Sequence, residues 1–208
     1  MKKHIYKSIY GAMALAVLVI WQACAPNPLN DLSISDSQTF ITNYDQSVSF
    51  NSYKTFSISD SVYVINNNQY YKANTPRDAQ IVFQVTEQLK SRGFKYVKKS
   101  EKPDIAVDVA RVTDSYVGVT SSSPFSYGAG YWGYGGYGAY YPSYYSYYQV
   151  SETYWVIEMG DLKNVTQNSN KIKIIWNAQI RGNGIFDESA ISPVIDAVFK
   201  QSAYLKTN

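Results

Sequence analysis

Residues 75–112 read TPRDAQIVFQVTEQLKSRGFKYVKKSEKPDIAVDVARV, a capped amphipathic helix followed by an alternating strand. Thr75 is suited to cap the helix, Pro76 suits its first position, and Asp78 completes the spacing of a capping box. The apolar side chains that share one helical face are Ile81, Val82, Val85 and Leu89. Gly93 is the residue type that ends such a helix. The stretch therefore predicts one helix over 76–92 that buries a single stripe.

Strand-like patterns lie on both sides of this helix. Apolar and β-branched residues alternate with other types over 40–44, 55–65, 94–98, 104–120, 154–159 and 171–181. A second helix is expected to begin near Ser192-Pro193 and to pack Val194, Ile195 and Val198. Alternation of this kind indicates a sheet with one solvated face, which is antiparallel for the most part. The fold class predicted is α+β, a mostly antiparallel sheet packed with two helices.

A Tyr/Gly-rich insertion at residues 121–148 interrupts this pattern. It holds ten of the 21 tyrosines and six of the 12 glycines, and it has no Lys, Arg, Asp or Glu. With few aliphatic residues, we expect it to form no normal core, and deletion of residues 124–148 to leave a folded domain. It is either a flexible connection or a recognition surface, because tyrosine offers a flat ring and a hydroxyl at low entropic cost. The candidate binding residues are Tyr127, Tyr131, Trp132, Tyr134, Tyr137, Tyr140 and Tyr141.

The N-terminal residues have the features of a secretory signal. Three lysines at 2, 3 and 7 precede an uncharged run over 9–20, too short to cross a bilayer, which takes roughly 20 apolar residues. Ala23-Cys24 then resembles the lipobox of bacterial lipoproteins, with cleavage between the two residues and acylation of Cys24. The domains expected are a signal peptide over 1–23, a tether over 24–36 and one domain over 37–208. An uncleaved membrane anchor is the alternative.

Charge and composition narrow the function classes. Loss of the three signal lysines leaves 16 basic and 16 acidic residues, and beyond the short Lys95, Lys98 and Lys99 group no basic cluster indicates nucleic-acid binding. The single histidine, His4, would leave with the signal peptide, which excludes Ser-His and Cys-His pairs and His/Cys zinc sites from the mature chain. No metal site and no cofactor are predicted.

Other charged residues are interpreted as structural. Asp104, Asp108 and Asp114 share one side of a predicted strand. Along that strand, Asp104 and Asp108 are roughly 13 Å apart and Asp108 and Asp114 roughly 20 Å apart, which is too far for a catalytic pair. A solvated sheet face explains them. Arg111 and Arg181 are expected to be edge residues with heads in water, and Asp187-Glu188 to lie in a turn.

The order of several short motifs resembles a known family. These are Asn43-Tyr44-Asp45, the FNSYKTF stretch over 50–56, the capped helix ending at Gly93-Phe94, and Pro103-Asp104-Ile105-Ala106-Val107. Together with Ile174-Ile175-Trp176 and Val198-Phe199, they resemble domain-of-unknown-function family 4136, whose members are mostly lipoproteins of Gram-negative envelopes. The resemblance implies an envelope location, and Ala25 after the cysteine resembles the sorting pattern for the outer membrane. This pattern is compatible both with a domain that faces the periplasm and with one that faces the exterior.

Two classes of function follow. The first is a noncatalytic, lipid-anchored envelope module whose partners are the membrane, through its acyl chains, and an envelope glycan or protein. The second is an enzyme that acts on an envelope polymer through carboxylates or tyrosine. The missing histidine and the absence of a carboxylate pair in the sequence pattern favour the first.

Overall fold

The computed structural model describes residues 37–66, 69–113, 123–142, 153–165 and 170–207. The predicted signal peptide, the tether, Ala23, Cys24 and Asp114 lie outside these residues. The strands are β1 (Thr39–Tyr44), β2 (Thr55–Ile58), β3 (Val62–Asn66), β4 (Gln69–Ala73), β5 (Lys95–Tyr96), β6 (Ile105–Thr113), β7 (Gly138–Tyr140), β8 (Thr153–Asp161) and β9 (Lys171–Arg181). The helices are α1 (Pro76–Ser91), α2 (Pro124–Gly128) and α3 (Glu188–Gln201), with 3-10 turns at Phe50–Ser52 and Lys99–Glu101.

The strands form one mixed sheet. The order β1-β9-β8-β6 is antiparallel throughout and contains the longest ladders. Beyond β6, β2 and β3 lie end to end along the same edge and both run parallel to it. The outer strands are β5 beside β2, β4 beside β3, and β7 beside the first residues of β9. The α+β class and the mostly antiparallel sheet are therefore confirmed.

Helix α1 begins and ends as its sequence predicts. The Thr75 hydroxyl accepts from the backbone N–H of Asp78 at 3.3 Å, and the Asp78 carboxylate accepts from the backbone N–H of Thr75 at 3.0 Å. Gly93 follows the helix with φ +89°, a conformation that glycine adopts without strain. Because these signals are local in sequence, they can be read without knowing the tertiary structure.

Helix α3 begins earlier than predicted. It starts at Glu188 and carries Pro193 inside it, whereas the sequence suggested a start at that proline. A proline in a helix removes one backbone hydrogen bond, but Ile191 is 1% exposed and packs in the core. Burial of that side chain stabilises the turn before the proline.

One face of the sheet packs against α1 and α3. The core on this side holds the alternating residues Ile105, Val107 and Val109 of β6, with Trp155 and Ile157 of β8. Ile81, Val85 and Leu89 supply the α1 stripe, and Val194, Ile195 and Val198 supply the α3 stripe. Within the described residues, no helix has the length and apolarity that crossing a membrane requires.

The opposite face is not solvated, and that expectation was wrong. Ala106, Asp108 and Ala110 of β6 are fully buried. Part of the Tyr/Gly insertion covers them, and the short side chains of the two alanines let this layer approach the sheet. The alternation in β6 therefore separates large from small residues rather than buried from exposed ones.

Candidate functional site

The layer over this second face consists of residues 123–142, called here the cover. It runs through α2, a series of turns and β7, which pairs with Lys171–Lys173 of β9. Phe125, Ala129, Trp132 and Ala139 of the cover are buried together with Ala106, Ile172 and Ile174 of the sheet. The expectation that this composition forms no core was wrong for residues 123–142, because two large aromatic side chains supply the apolar area that aliphatic residues usually provide.

Glycine lets the cover lie close to the sheet. A Cβ on Gly128 would lie 2.8 Å from the Tyr63 hydroxyl and 2.9 Å from the Asp108 carboxylate. On the sheet side, a Cβ on Gly160 would lie 2.7 Å from the ring of Phe125. Side chains at these two positions would force the layers apart.

A row of polar residues crosses the sheet beneath the cover. Asp108 of β6 is opposite Glu158 of β8, and Glu158 is opposite Asn177 of β9. Residues directly opposite each other in antiparallel strands have Cβ atoms about 5 Å apart. The two carboxylates are therefore neighbours, and the interpretation of Asp108 as a residue on a solvated face was wrong, since it is 0% exposed.

The cover supplies hydrogen-bond donors to both carboxylates. The Trp132 indole N–H donates to Asp108 Oδ2 at 2.9 Å. The Ser123 hydroxyl donates to Glu158 Oε2 at 2.7 Å, and the Tyr141 hydroxyl donates to Glu158 Oε1. Asp108 Oδ1 is buried and has no hydrogen-bond partner among the described residues. The cover thus buries the pair and, among the residues that the structure describes, leaves one oxygen without a hydrogen bond.

Burial changes the acidity of this pair. Desolvation raises the pKa of Asp108 to about 7, and the nearby Glu158 carboxylate adds to the rise while the Trp132 hydrogen bond opposes it. Desolvation also raises the pKa of Glu158 to about 7, against the hydrogen bonds from Tyr141 and Ser123. Two ionised carboxylates side by side in a buried layer would repel each other. We therefore expect the fold to favour protonation of the pair.

The candidate binding residues fall into two groups. Trp132 is only 5% exposed and Tyr141 is half-buried, and both direct their polar groups at the carboxylates. The others keep part of their rings at the surface: Tyr127 against Tyr70, Tyr131 between the Lys72 and Lys99 ammonium groups, Tyr134 beside Tyr137, and Tyr140 at 46% exposure. The structure brings them into one layer but not onto one flat surface.

A cleft of about 460 Å³ opens where the cover meets the loops at one end of the sheet. Its lining consists of Lys99, Lys102, Pro103, Asp104, Trp132, Tyr134, Leu162 and Lys163. The volume is within the roughly 300–1,000 Å³ of small-ligand sites. Lys99 is visible in the sequence as part of a short basic group, but its convergence with Lys163 could not be predicted, because Lys163 lies 64 positions later and comes near only through the β6–β8 pairing.

The remaining charged candidates have structural partners. Asp104 Oδ2 accepts from the backbone N–H groups of Lys54 and Thr55 at 2.7 and 3.0 Å. Arg111 forms an ion pair with the buried Asp78, 3.2 Å between Nε and Oδ1, and Arg181 is 8% exposed. The prediction that both arginines hold their heads in water was wrong. Arg111 is held by Asp78 of α1, and Arg181 contacts Gln179 and the ring of Tyr154.

Metal ligation has no candidate in the part of the chain that the structure describes. There, no three His, Cys, Asp or Glu residues come together in a group that could hold a metal ion. Asp187, which the sequence placed in a turn, directly precedes α3, and Glu188 is the first residue of that helix.

Comparison with known proteins gives a family. A DUF4136 family protein from Bacteroides thetaiotaomicron VPI-5482 is 24% identical with a TM-score of 0.69, over 83% of this chain and 100% of its own. A PelC dodecamer from Paraburkholderia phytofirmans is 13% identical with a TM-score of 0.40, over 82% of this chain and 99% of its own. A PDZ domain protein from Parabacteroides distasonis ATCC 8503 is 14% identical with a TM-score of 0.40, over 82% of this chain and 37% of its own. No curated protein matches the sequence. The family model for a domain of unknown function, DUF4136, matches residues 40–202, and the chain therefore belongs to the DUF4136 family.

Proposed function

We propose that this chain is a lipid-anchored protein of the bacterial cell envelope that binds a partner and catalyses no reaction. The signal-like N-terminal residues and the Ala23-Cys24 step support the anchor. Acyl chains on Cys24 would hold the protein in a membrane, since each buried methylene contributes roughly 0.8 kcal/mol and a second chain makes the attachment stable. By its resemblance to sorting patterns, we assign it to the outer membrane.

The observation that carries the binding role is the cleft where the cover meets the loops at one end of the sheet. It combines three lysine side chains with two aromatic rings, groups that suit recognition of a ligand by charge and by contact with a flat ring face. The two carboxylates with raised pKa, Asp108 and Glu158, have almost no exposed surface, at 0% and 2%. A substrate would have no contact with them while the cover is in place. An envelope glycan or an envelope protein is therefore the proposed partner.

The binding role can be tested with isolated envelope material. The mature protein, purified with its lipid in detergent, would be incubated with purified peptidoglycan and with outer-membrane extract, and both retention of the protein and release of soluble fragments would be measured. The proposal expects retention without release. A protein that is neither retained nor releases fragments would contradict it.

One observation favours the second candidate, an enzyme that acts on an envelope polymer. Asp108 and Glu158 are adjacent and burial raises the pKa of each to about 7, and catalytic carboxyl groups are often raised toward the operating pH in this way. This role requires the cover to move, because the pair is sealed beneath it. Fragment release by the wild type that disappears in Asp108→Asn and Glu158→Gln, with the fold retained, would establish the enzyme and overturn the binding role.

A further inference from the structure

The cleft carries a net positive charge in a chain whose mature part is balanced. Three lysines and one aspartate line it, which leaves a formal excess of two positive charges. Asp104 Oδ2 is already occupied by the backbone N–H groups at the start of β2. This carboxylate therefore stabilises the start of β2. Among the described residues, it forms no ion pair with a lysine of the cleft.

The lysine ammonium groups have only neutral partners. Lys99 Nζ donates to the Tyr131 carbonyl oxygen at 2.7 Å, and Lys163 Nζ donates to the Ser52 carbonyl oxygen at 2.6 Å. Each ammonium has three donors, and these hydrogen bonds use one donor of Lys99 and one of Lys163. Among the described residues, ion pairs within 4.0 Å join Lys90 to Glu87, Arg111 to Asp78 and Lys173 to Asp45, and none involves the cleft.

Aromatic rings form the apolar part of the cleft. Trp132 is fixed there because its indole N–H is bonded to Asp108 and its ring lies edge-on to Tyr131, with 4.9 Å between centroids. Tyr134 is half-buried and lies 5.3 Å from Tyr137. Held rings of this kind present flat faces at low entropic cost, and the C–H face of a sugar ring is the natural complement to such a face.

The lining is unsuited to an extended peptide. None of its residues lies in a strand, so the cleft offers no free strand edge to pair with a peptide backbone, as strand addition requires. It offers ammonium groups and ring faces instead. The concave shape also distinguishes it from the flat basic patches that attract membranes.

We propose that this cleft binds an anionic saccharide, with the carboxylate or phosphate groups of the sugar at Lys99, Lys102 and Lys163 and a ring face against Tyr134. This inference rests on the proposed binding function and names the chemical class of the ligand. The bare anion, an acidic peptide and a neutral sugar each satisfy only part of the lining, and we expect them to bind less tightly.

The test is calorimetric titration of the lipidated, detergent-solubilised mature protein. The charged probes are trigalacturonate and glucose 6-phosphate; the controls are maltotriose, inorganic phosphate and triglutamate. At least one charged sugar should bind more tightly than all three controls. Binding should weaken severalfold when the salt concentration rises from 50 to 300 mM, since the Debye length, about 10 Å at 0.1 M, shortens across this range and exposed charges are screened more strongly.

Matched variants assign the binding to the cleft. The double change Lys102→Gln with Lys163→Gln should weaken binding about tenfold, whereas Lys200→Gln, an exposed lysine on α3, should leave it unchanged. Tyr134→Ala should weaken binding and Tyr134→Phe should not, because the ring face is retained. Phe83→Ala, which removes an aromatic ring that is 58% exposed on α1, is the control.

Several results would overturn the inference. These are no binding of either charged sugar, equal binding of maltotriose, unchanged binding in the lysine double variant, or tighter binding of triglutamate. Equal binding of inorganic phosphate that Tyr134→Ala leaves unchanged would reduce the cleft to a simple anion site. If envelope material retains the wild type but both charged sugars fail, this inference fails and the proposed function stands. If a charged sugar binds in the cleft but envelope material does not retain the protein, the proposed function fails instead.

Discussion

Replacing Asp108 by Asn tests whether the cover seals two carboxylates away from water. The change removes the ionisable group and keeps a carbonyl oxygen that can accept from the Trp132 indole. Burial raises the pKa of Asp108 from 3.8 to about 7 and that of Glu158 from 4.5 to about 7. The folded state therefore binds more protons than the unfolded state between pH 4 and 7, and the free energy of unfolding falls as the pH rises through that window.

The size of the effect follows from these values. One pKa unit corresponds to ~1.4 kcal/mol, so by pH 8 ionisation of a buried Asp108 costs roughly 4 kcal/mol. About 2–3 kcal/mol of that cost arises between pH 5 and 8, with a similar amount from Glu158. Asn carries an N–H₂ group that must also be buried, at a cost of about 1–3 kcal/mol. We expect Asp108→Asn to be about 1–3 kcal/mol more stable than the wild type at pH 8, with this advantage shrinking toward pH 5.

The assay is urea unfolding followed by circular dichroism at pH 5, 6, 7 and 8. The wild type should lose stability across this range and Asp108→Asn should lose about half as much. Asp187→Asn removes the same charge from an exposed residue and should follow the wild type. A wild type whose stability is constant from pH 5 to 8, or a variant with the same slope as the wild type, would refute the reasoning.

Three further predictions concern the cover. Gly160→Ala should destabilise the protein by about 1–3 kcal/mol through overpacking against Phe125, while Gly138→Ala, where the added methyl meets nothing within 4 Å, should change the urea midpoint little. Trp132→Phe removes the indole donor and should cost about 1–3 kcal/mol, more at pH 8 than at pH 5 because an unsupported carboxylate is harder to ionise; an equal loss at both pH values would argue against the contact. Deletion of residues 124–148 should leave cooperative unfolding, since the core beneath α1 and α3 is untouched, but with lower stability and without the pH dependence; a deletion mutant that keeps the wild-type pH slope would contradict this.

The parts of the fold that were predicted correctly depend on local signals. The Thr75 and Asp78 capping box and the Gly93 terminus involve residues close in sequence, and the alternation over 105–110 assigns one face to the helices. The start of α3 was misplaced because Pro193 is a strong local signal that the burial of Ile191, a tertiary effect, overrides.

The carboxylate pair could not be predicted in the same way. Asp108 and Glu158 are each visible as acidic residues in an alternating strand, but they become neighbours only through the register of β6 against β8. A single sequence does not fix that register. Searching for pairs along one strand, as with Asp104 and Asp108, finds residues too far apart, and the partner on the adjacent strand is missed.

The burial of the insertion also could not be predicted from the local sequence. Its composition lacks aliphatic residues, yet Phe125 and Trp132 are buried because β6 and β8 present small or polar residues to them. The signal that could have revealed this is the run Ala106, Asp108, Ala110, which leaves room on one face for a second layer. The composition of a segment does not show which face of the sheet it packs against.

The most direct test of the central claim, a lipid-anchored envelope protein, is the intact mass of the protein isolated from cells. The account predicts a chain that begins at Cys24, with a mass increased by acyl groups, and loss of that increase in Cys24→Ala. An unmodified chain that still begins at Met1 and has an unacylated thiol at Cys24 would contradict the anchor, the compartment and the proposed function together.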